Sequence, residues 1–324
     1  MQNHIRETAH KLANKGDLVE IKGVVGHTHG LPTFSFTLAM GATFALVSLV
    51  WPFFGLAGII AVIGSAIADL DAGQGWLRTL LTRDATNTAI VWPIDCRPGT
   101  HHEAKATLVI ASPIEATASI ENGNPHILMV ALSCMLLSAV AVALTPWLGP
   151  YPSIAAATCL AFGSVAGWAS GWFLKRKPRG NPALDVLLRA QEQCERTEHI
   201  RVVWALVGGG SVHHDGLRTL LLNHRAYLPP GDTRVLCIHP STGVCSWVST
   251  EGRIKTIPTD PLLGEIMASA NVPHRAGNTG ARKAHRLGWR STGLCVSADQ
   301  IHIGTRVVCA TIERAESLAR EGKW

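Results

Sequence analysis

The chain has 324 residues, of which only 16% are charged and 47% are apolar, with a net charge of +6. An ordinary water-soluble domain is about 25% charged, so the deficit predicts lipid-facing segments. No basic run is long enough for a nucleic-acid groove, and the positive balance is expected to set membrane orientation.

In chain order, His4–Lys15 reads as an amphipathic helix and Leu18–Val25 as a strand. From Phe34 to Leu70 the only charge is Asp69. A single helix of that length would measure roughly 54 Å, well beyond a hydrocarbon core of about 30 Å. Trp51-Pro52 is the place to break it, because proline disrupts a helix interior. The expectation is two short spans, Phe34–Val50 and Phe53–Asp69, with a re-entrant hairpin as the competing reading. Asn87–Trp92 and Ala106–Ala111 are β-type runs. A second uncharged pair follows, Ile127–Leu148 and Ser153–Leu174, joined at Gly149-Pro150-Tyr151-Pro152. Gly163, Gly167 and Gly171 recur every four residues on the last span. That spacing lets a partner helix approach closely, or reflects generic small-residue packing.

Beyond Lys175-Arg176-Lys177 the chain alternates again. Ala183–Arg196 is a predicted helix, His199–Val207 a strand, Leu217–Leu228 a helix, Arg234–His239 a strand and Thr311–Glu321 a helix. The predicted organisation is residues 1–33 (helix and strand of the globular part), 34–70 (first hairpin), 71–126, 127–174 (second hairpin) and 175–324. Alternating strands and helices imply an α/β sheet covered by helices. Lysines and arginines all lie outside the four spans. The positive-inside rule then predicts a multi-pass inner-membrane protein with a cytoplasmic α/β domain. The eight cysteines form no CxxC pair and suit a reducing compartment.

The order of segments resembles the di-zinc aminopeptidase family, with its glutaminyl cyclase, transferrin receptor and nicastrin relatives. It looks most like bacterial members with membrane hairpins inserted in the peptidase domain. Ala85–Val91 is similar to the family's "SxNVVA" strand, and Ala104–Ala111 to the strand before the first metal histidine. Asn181–Glu192 resembles the helix opened by the bridging aspartate. Val202–His224 resembles the stretch carrying an adjacent Glu-Glu pair, and Asn278–Leu294 and Ile301–Glu321 the closing segments. The resemblance implies a mixed-sheet zinc-aminopeptidase-like domain with helices on both faces, plus about four transmembrane helices in two hairpins.

The resemblance also implies a ligand set that this chain lacks. The first histidine falls at Ser112, the bridging aspartate at Asn181, and the Glu-Glu pair at Gly210-Ser211. The next aspartate falls at His239, an acidic position at Gly280, and the final histidine at His302, which is kept. Without the glutamate pair there is no general base, and glycine and serine are outside the usual zinc donor set. The implied function is a non-catalytic pseudo-peptidase, without a cofactor, serving as a scaffold or accessory subunit for other membrane-protein subunits. The alternative is a divergent membrane-bound zinc hydrolase with relocated ligands.

Fifteen histidines keep that alternative open. They cluster at His27–His29, His101–Glu103 and His213–Asp215. A relocated zinc site would draw on His239, His302, His213 and His214, although adjacent histidines without a third spaced ligand are weak signals. Gly208–Gly210 lacks the Lys and Ser/Thr of a phosphate loop. Asp215 is expected to cap a helix, and Cys237 to be a buried strand cysteine.

Overall fold

The run Thr107–Pro113 (β3) shows how the sheet is built, because it is apolar and buried at every position. Neighbouring side chains on a strand point to opposite faces. Leu108 and Ile110 join one hydrophobic core, while Val109 and Ala111 join another. A strand buried on both faces belongs in the middle of a covered sheet.

The computed structural model describes residues 2–13, 17–26, 30–72, 84–93, 106–114, 125–173, 181–194, 197–208, 214–241, 243–252 and 256–324. The chain divides into two units. The first comprises residues 1–28, 83–118 and 178–324, and the second residues 29–82 and 119–177.

In the first unit the other strands are β1 (Leu18–Gly26), β2 (Asp84–Trp92), β4 (Arg201–Val207), β5 (Thr233–Pro240), β6 (Ser246–Glu251), β7 (Ile257–Pro258), β8 (His274–Gly277) and β9 (Arg290–Val296). Their order is β1-β2-β4-β3-β5-β9-β6-β7, with β8 paired to β6. The centre, β4-β3-β5-β9, is parallel. β1, β2 and β6 run antiparallel to their inner neighbours. The sheet is therefore mixed.

Among the described residues, five helices belong to this unit beside α1 (Gln2–Leu12): here α6 (Pro182–Gln193), α7 (Asp215–Asn223), α8 (Pro261–Ser269), α9 (Gly280–Arg286) and α10 (Ile301–Arg320). One core holds Ile5 and Leu12 of α1, Leu187 of α6, Met267 of α8 and Val308 of α10 against Leu108, Ile110 and Leu236. The other holds Leu217 and Leu221 of α7 and Ala284 of α9 against Val109, Val203 and Val235. The sheet is covered on both faces.

Among the described residues the second unit has four helices, α2 (Gly30–Val47), α3 (Pro52–Ala72), α4 (Pro125–Leu148) and α5 (Tyr151–Phe173). α2 packs on α3 and α5, and α4 on α3 and α5. Ala45, Ile59, Val62, Met135 and Leu160 form the shared core. Near the two turns a polar knot ties three helices together. Ser153 Oγ lies 2.6 Å from both Ser48 Oγ and Thr145 Oγ1. The α4–α5 turn uses Gly149 at φ +79°, a conformation that glycine adopts without a Cβ penalty.

These helices correct the membrane expectation. Among the described residues no helix is long and apolar enough to cross a membrane. The four spans are overturned, and with them the multi-pass inner-membrane location and the cytoplasmic placement that rested on them.

Gly163 finds its neighbour within the chain. A Cβ there would stand 3.3 Å from Leu38 of α2, so this small residue accommodates α2. Gly167 is half-buried, and the surroundings of Gly171 lie outside the described residues.

Candidate functional site

Parallel strands aim their carboxyl ends at the usual ligand position of an open α/β sheet. Here those ends are Ser112-Pro113 on β3, Val207 on β4, His239-Pro240 on β5 and Cys295-Val296 on β9. Ala111 pairs with Cys237, and His239 with Cys295. Strand parity then sorts the side chains. Cys237, His239 and Cys295 share the α7/α9 face with Ala111. Ser112, one residue on, takes the α6 face with Leu108 and Ile110.

On the α6 face, Asn181 stands immediately ahead of Pro182, the first residue of α6. Its Oδ1 accepts the Leu184 N–H at 3.2 Å, capping the helix. Its Nδ2 donates to the Pro113 carbonyl at 2.6 Å and to the Ile114 carbonyl at 3.2 Å. Asn181 therefore fastens the start of α6 to the end of β3. Ser112 is fully buried beside it.

On the α7/α9 face, His214 and His239 meet edge to face with ring centroids 5.9 Å apart. His239 is buried, and burial, aided by the field of Arg275, pushes its pKa down to about 4. It is neutral at neutral pH. His214 holds a left-handed backbone at φ 54° and occupies the cap position of α7, without a side-chain cap bond. This corrects the expected cap at Asp215, which is the first residue of the helix. There its charge complements the helix dipole. A Cβ on Gly280 would lie 3.2 Å from Cys237 Sγ and 3.4 Å from His214 Nδ1, so α9 closes directly over the pair.

The sequence reading missed the group that sets α9 in place. Glu251, at the end of β6, is buried. Its Oε2 accepts the Thr279 N–H at 2.7 Å, and its Oε1 accepts the Thr279 hydroxyl. Thr279 Oγ1 in turn accepts the Ala281 N–H and caps α9. Burial raises the Glu251 pKa, while the bonds from Thr279 and the charges of Arg282 and Arg275 pull it back. The one available signal was an acidic residue ahead of Gly252 after the β-type run Ser246–Thr250.

Burial also raises the thiols of Cys237 and Cys295, which keeps them protonated and poor nucleophiles. The expected buried cysteine on β5 is present. His302 is exposed on the first turn of α10. Gly210, Ser211, His213 and the clusters at His27–His29 and His101–Glu103 lie outside the described residues. Among the described residues no three His, Cys, Asp or Glu side chains are grouped to hold a metal ion.

The residues at these positions do not fit a paired zinc centre. Ser112 and Asn181 are on one face of the sheet and His239 on the other. At Asn181 an amide nitrogen, already donating to two carbonyls, stands where the resemblance places a bridging carboxylate.

No protein-family model and no curated protein matches this chain. Among solved structures, a zinc aminopeptidase from Bacillus subtilis matches with a TM-score of 0.35 and 6% identity, over 72% of this chain and 51% of that one. A metallo-carboxypeptidase from Burkholderia cenocepacia matches with a TM-score of 0.31 and 11% identity, over 73% of this chain and 62% of that one. The chain thus spans about half to three fifths of the length of these proteins. Likeness at this level leaves function to be argued from the chain's own residues.

Proposed function

We propose that the α/β unit is a peptidase-like domain without hydrolytic activity, and that the protein works by binding, as a scaffold or accessory subunit of a protein assembly. The observation that carries this reading is the bonding of Asn181. Two carbonyl oxygens demand a donor at this position, and an ionised carboxylate only accepts. The position where the resemblance calls for a metal-bridging acid is thus used to join β3 to α6. Protonated thiols and a neutral buried His239 offer no activated nucleophile on the opposite face.

The test is zinc content together with turnover. Purified full-length chain is equilibrated with zinc, freed of excess metal, and assayed on aminoacyl-p-nitroanilides and short peptides. The expected result is less than about one zinc per chain and no cleavage above the blank. Stoichiometric zinc with turnover that is lost in His214→Ala or His239→Ala would overturn the reading and establish a hydrolase built on that histidine pair.

A further inference from the structure

Away from the strand ends, two cysteines from distant parts of the chain meet at the surface of the α/β unit. Cys194 is the residue that ends α6, and Cys309 lies midway along α10. Their Sγ atoms are 2.8 Å apart, across 115 residues of sequence. Both residues are half-buried, whereas Cys237, Cys245 and Cys295 are buried. An S–S bond measures about 2.05 Å, so bond formation asks for a closure of less than about 1 Å.

We propose that Cys194 and Cys309 form a dithiol site that reacts with small-molecule disulfides and closes to an intramolecular disulfide linking α6 to α10. The two sulfurs are not equivalent. The Cys194 S–H donates to Cys309, so Cys309 is held below the ordinary thiol range, while Cys194 is pushed far above it. The nearby Glu313 carboxylate opposes ionisation of both. A single thiolate, on Cys309, therefore forms first.

The chemistry balances in two exchanges. The Cys309 thiolate attacks one sulfur of a disulfide RSSR. A Cys309–SR bond forms, the RS–SR bond breaks, and RS⁻ leaves, taking up a proton as RSH. Cys194 then loses its proton to solvent and attacks Cys309 Sγ. The Cys194–Cys309 bond forms, the bond to SR breaks, and the second RSH departs. Two protein thiols are oxidised and one small disulfide is reduced.

The experiment treats the full-length reduced protein with oxidised glutathione and maps the tryptic peptides. The expected product joins Ala190–Arg196 to Val307–Arg314, with a loss of about 2 Da, and the thermal midpoint of the protein rises. Cys194→Ser is expected to stop at one glutathione on Cys309. Cys309→Ser is expected to stop at one glutathione on Cys194. Separate glutathione adducts on both residues of the wild-type chain, or no reaction at either, would overturn the proposal. A mixed-disulfide intermediate of the wild-type chain carrying glutathione on Cys194 rather than on Cys309 would overturn the assigned order of attack.

Discussion

The side-chain nitrogen of Asn181 lies 2.6 Å from the carbonyl oxygen of Pro113. This bond makes the identity of residue 181 a matter of donor chemistry. Asn181→Asp keeps the cap on Leu184 but sets a carboxylate against two carbonyls in a buried place. It should cost about 1–3 kcal/mol in urea unfolding at pH 7. Repulsion raises the pKa of the introduced acid, so its protonated form is favoured in the folded state. The deficit should therefore shrink as the pH falls through the raised folded pKa toward about 4, as the acid's O–H comes to donate to Pro113. A deficit unchanged between pH 7 and pH 3 contradicts this account.

Glu316 of α10 performs the converse task for β4. Its carboxylate accepts the N–H groups of Glu198, His199 and Ile200, and lies 2.6 Å from His199 Nδ1. Burial pushes its pKa up, but those bonds outweigh burial and hold it below the ordinary value. The stability it confers is complete above the unfolded pKa near 4.3 and is lost as pH falls through the folded value. Glu316→Gln should lower stability by about 1–2 kcal/mol at pH 7. The gap to wild type should close in acid, as read from unfolding midpoints at a series of pH values.

The sequence showed some parts of this architecture more clearly than others, for physical reasons. β3, β4 and β5 were readable as continuous apolar runs because both faces of each strand are covered. The helix pairs of the second unit were bounded within a few residues by Pro52 and by Gly149-Pro150. Apolar composition records withdrawal from water but does not name what replaces it. Among the described residues no helix of α2–α5 is long and apolar enough to cross a membrane, so the inference of bilayer spans went too far. β9 was missed because Ser291 and Thr292 are polar by type yet buried by partnership, donating to the Ala281 and Val248 carbonyls. α10 was placed ten residues late because His302 and Thr305 hide its first turns. Of the positions the resemblance groups, Ser112 and His239 fall on opposite faces of the sheet by strand parity, and Asn181 caps α6.

Glu251 gives the opposite pH signature to Glu316. Burial raises its pKa, the Thr279 bonds and the two arginine charges offsetting only part of the rise. An acid raised in the folded state confers stability that is full below the unfolded pKa and declines as pH rises through the folded one. From about pH 4 upward, wild type should lose stability relative to Glu251→Gln, which has no such titration. Denaturation midpoints of the two proteins across that range would check it. Parallel curves would mean that Glu251 titrates as it does in the unfolded chain.

The buried pair Arg234–Asp260 joins β5 to the start of α8. Arg234 Nε stands 3.2 Å from Asp260 Oδ1, and the two side chains are only 5% and 4% exposed. Asp260 Oδ1 also accepts the Leu263 N–H at 2.9 Å, capping α8. Arg234 lies over the Trp324 ring, 4.5 Å from its centroid. Asp260→Ala strands a buried guanidinium and uncaps a helix, and should cost about 3–5 kcal/mol. Asp260→Asn keeps the acceptor for Leu263 and should cost less. Arg234→Met combined with Asp260→Ala removes the stranded charge, so it should recover part of the loss. Guanidinium unfolding of these three variants and of Arg234→Met alone is the measurement. A double variant as unstable as the sum of its singles would show that the two side chains act independently, against the geometry described.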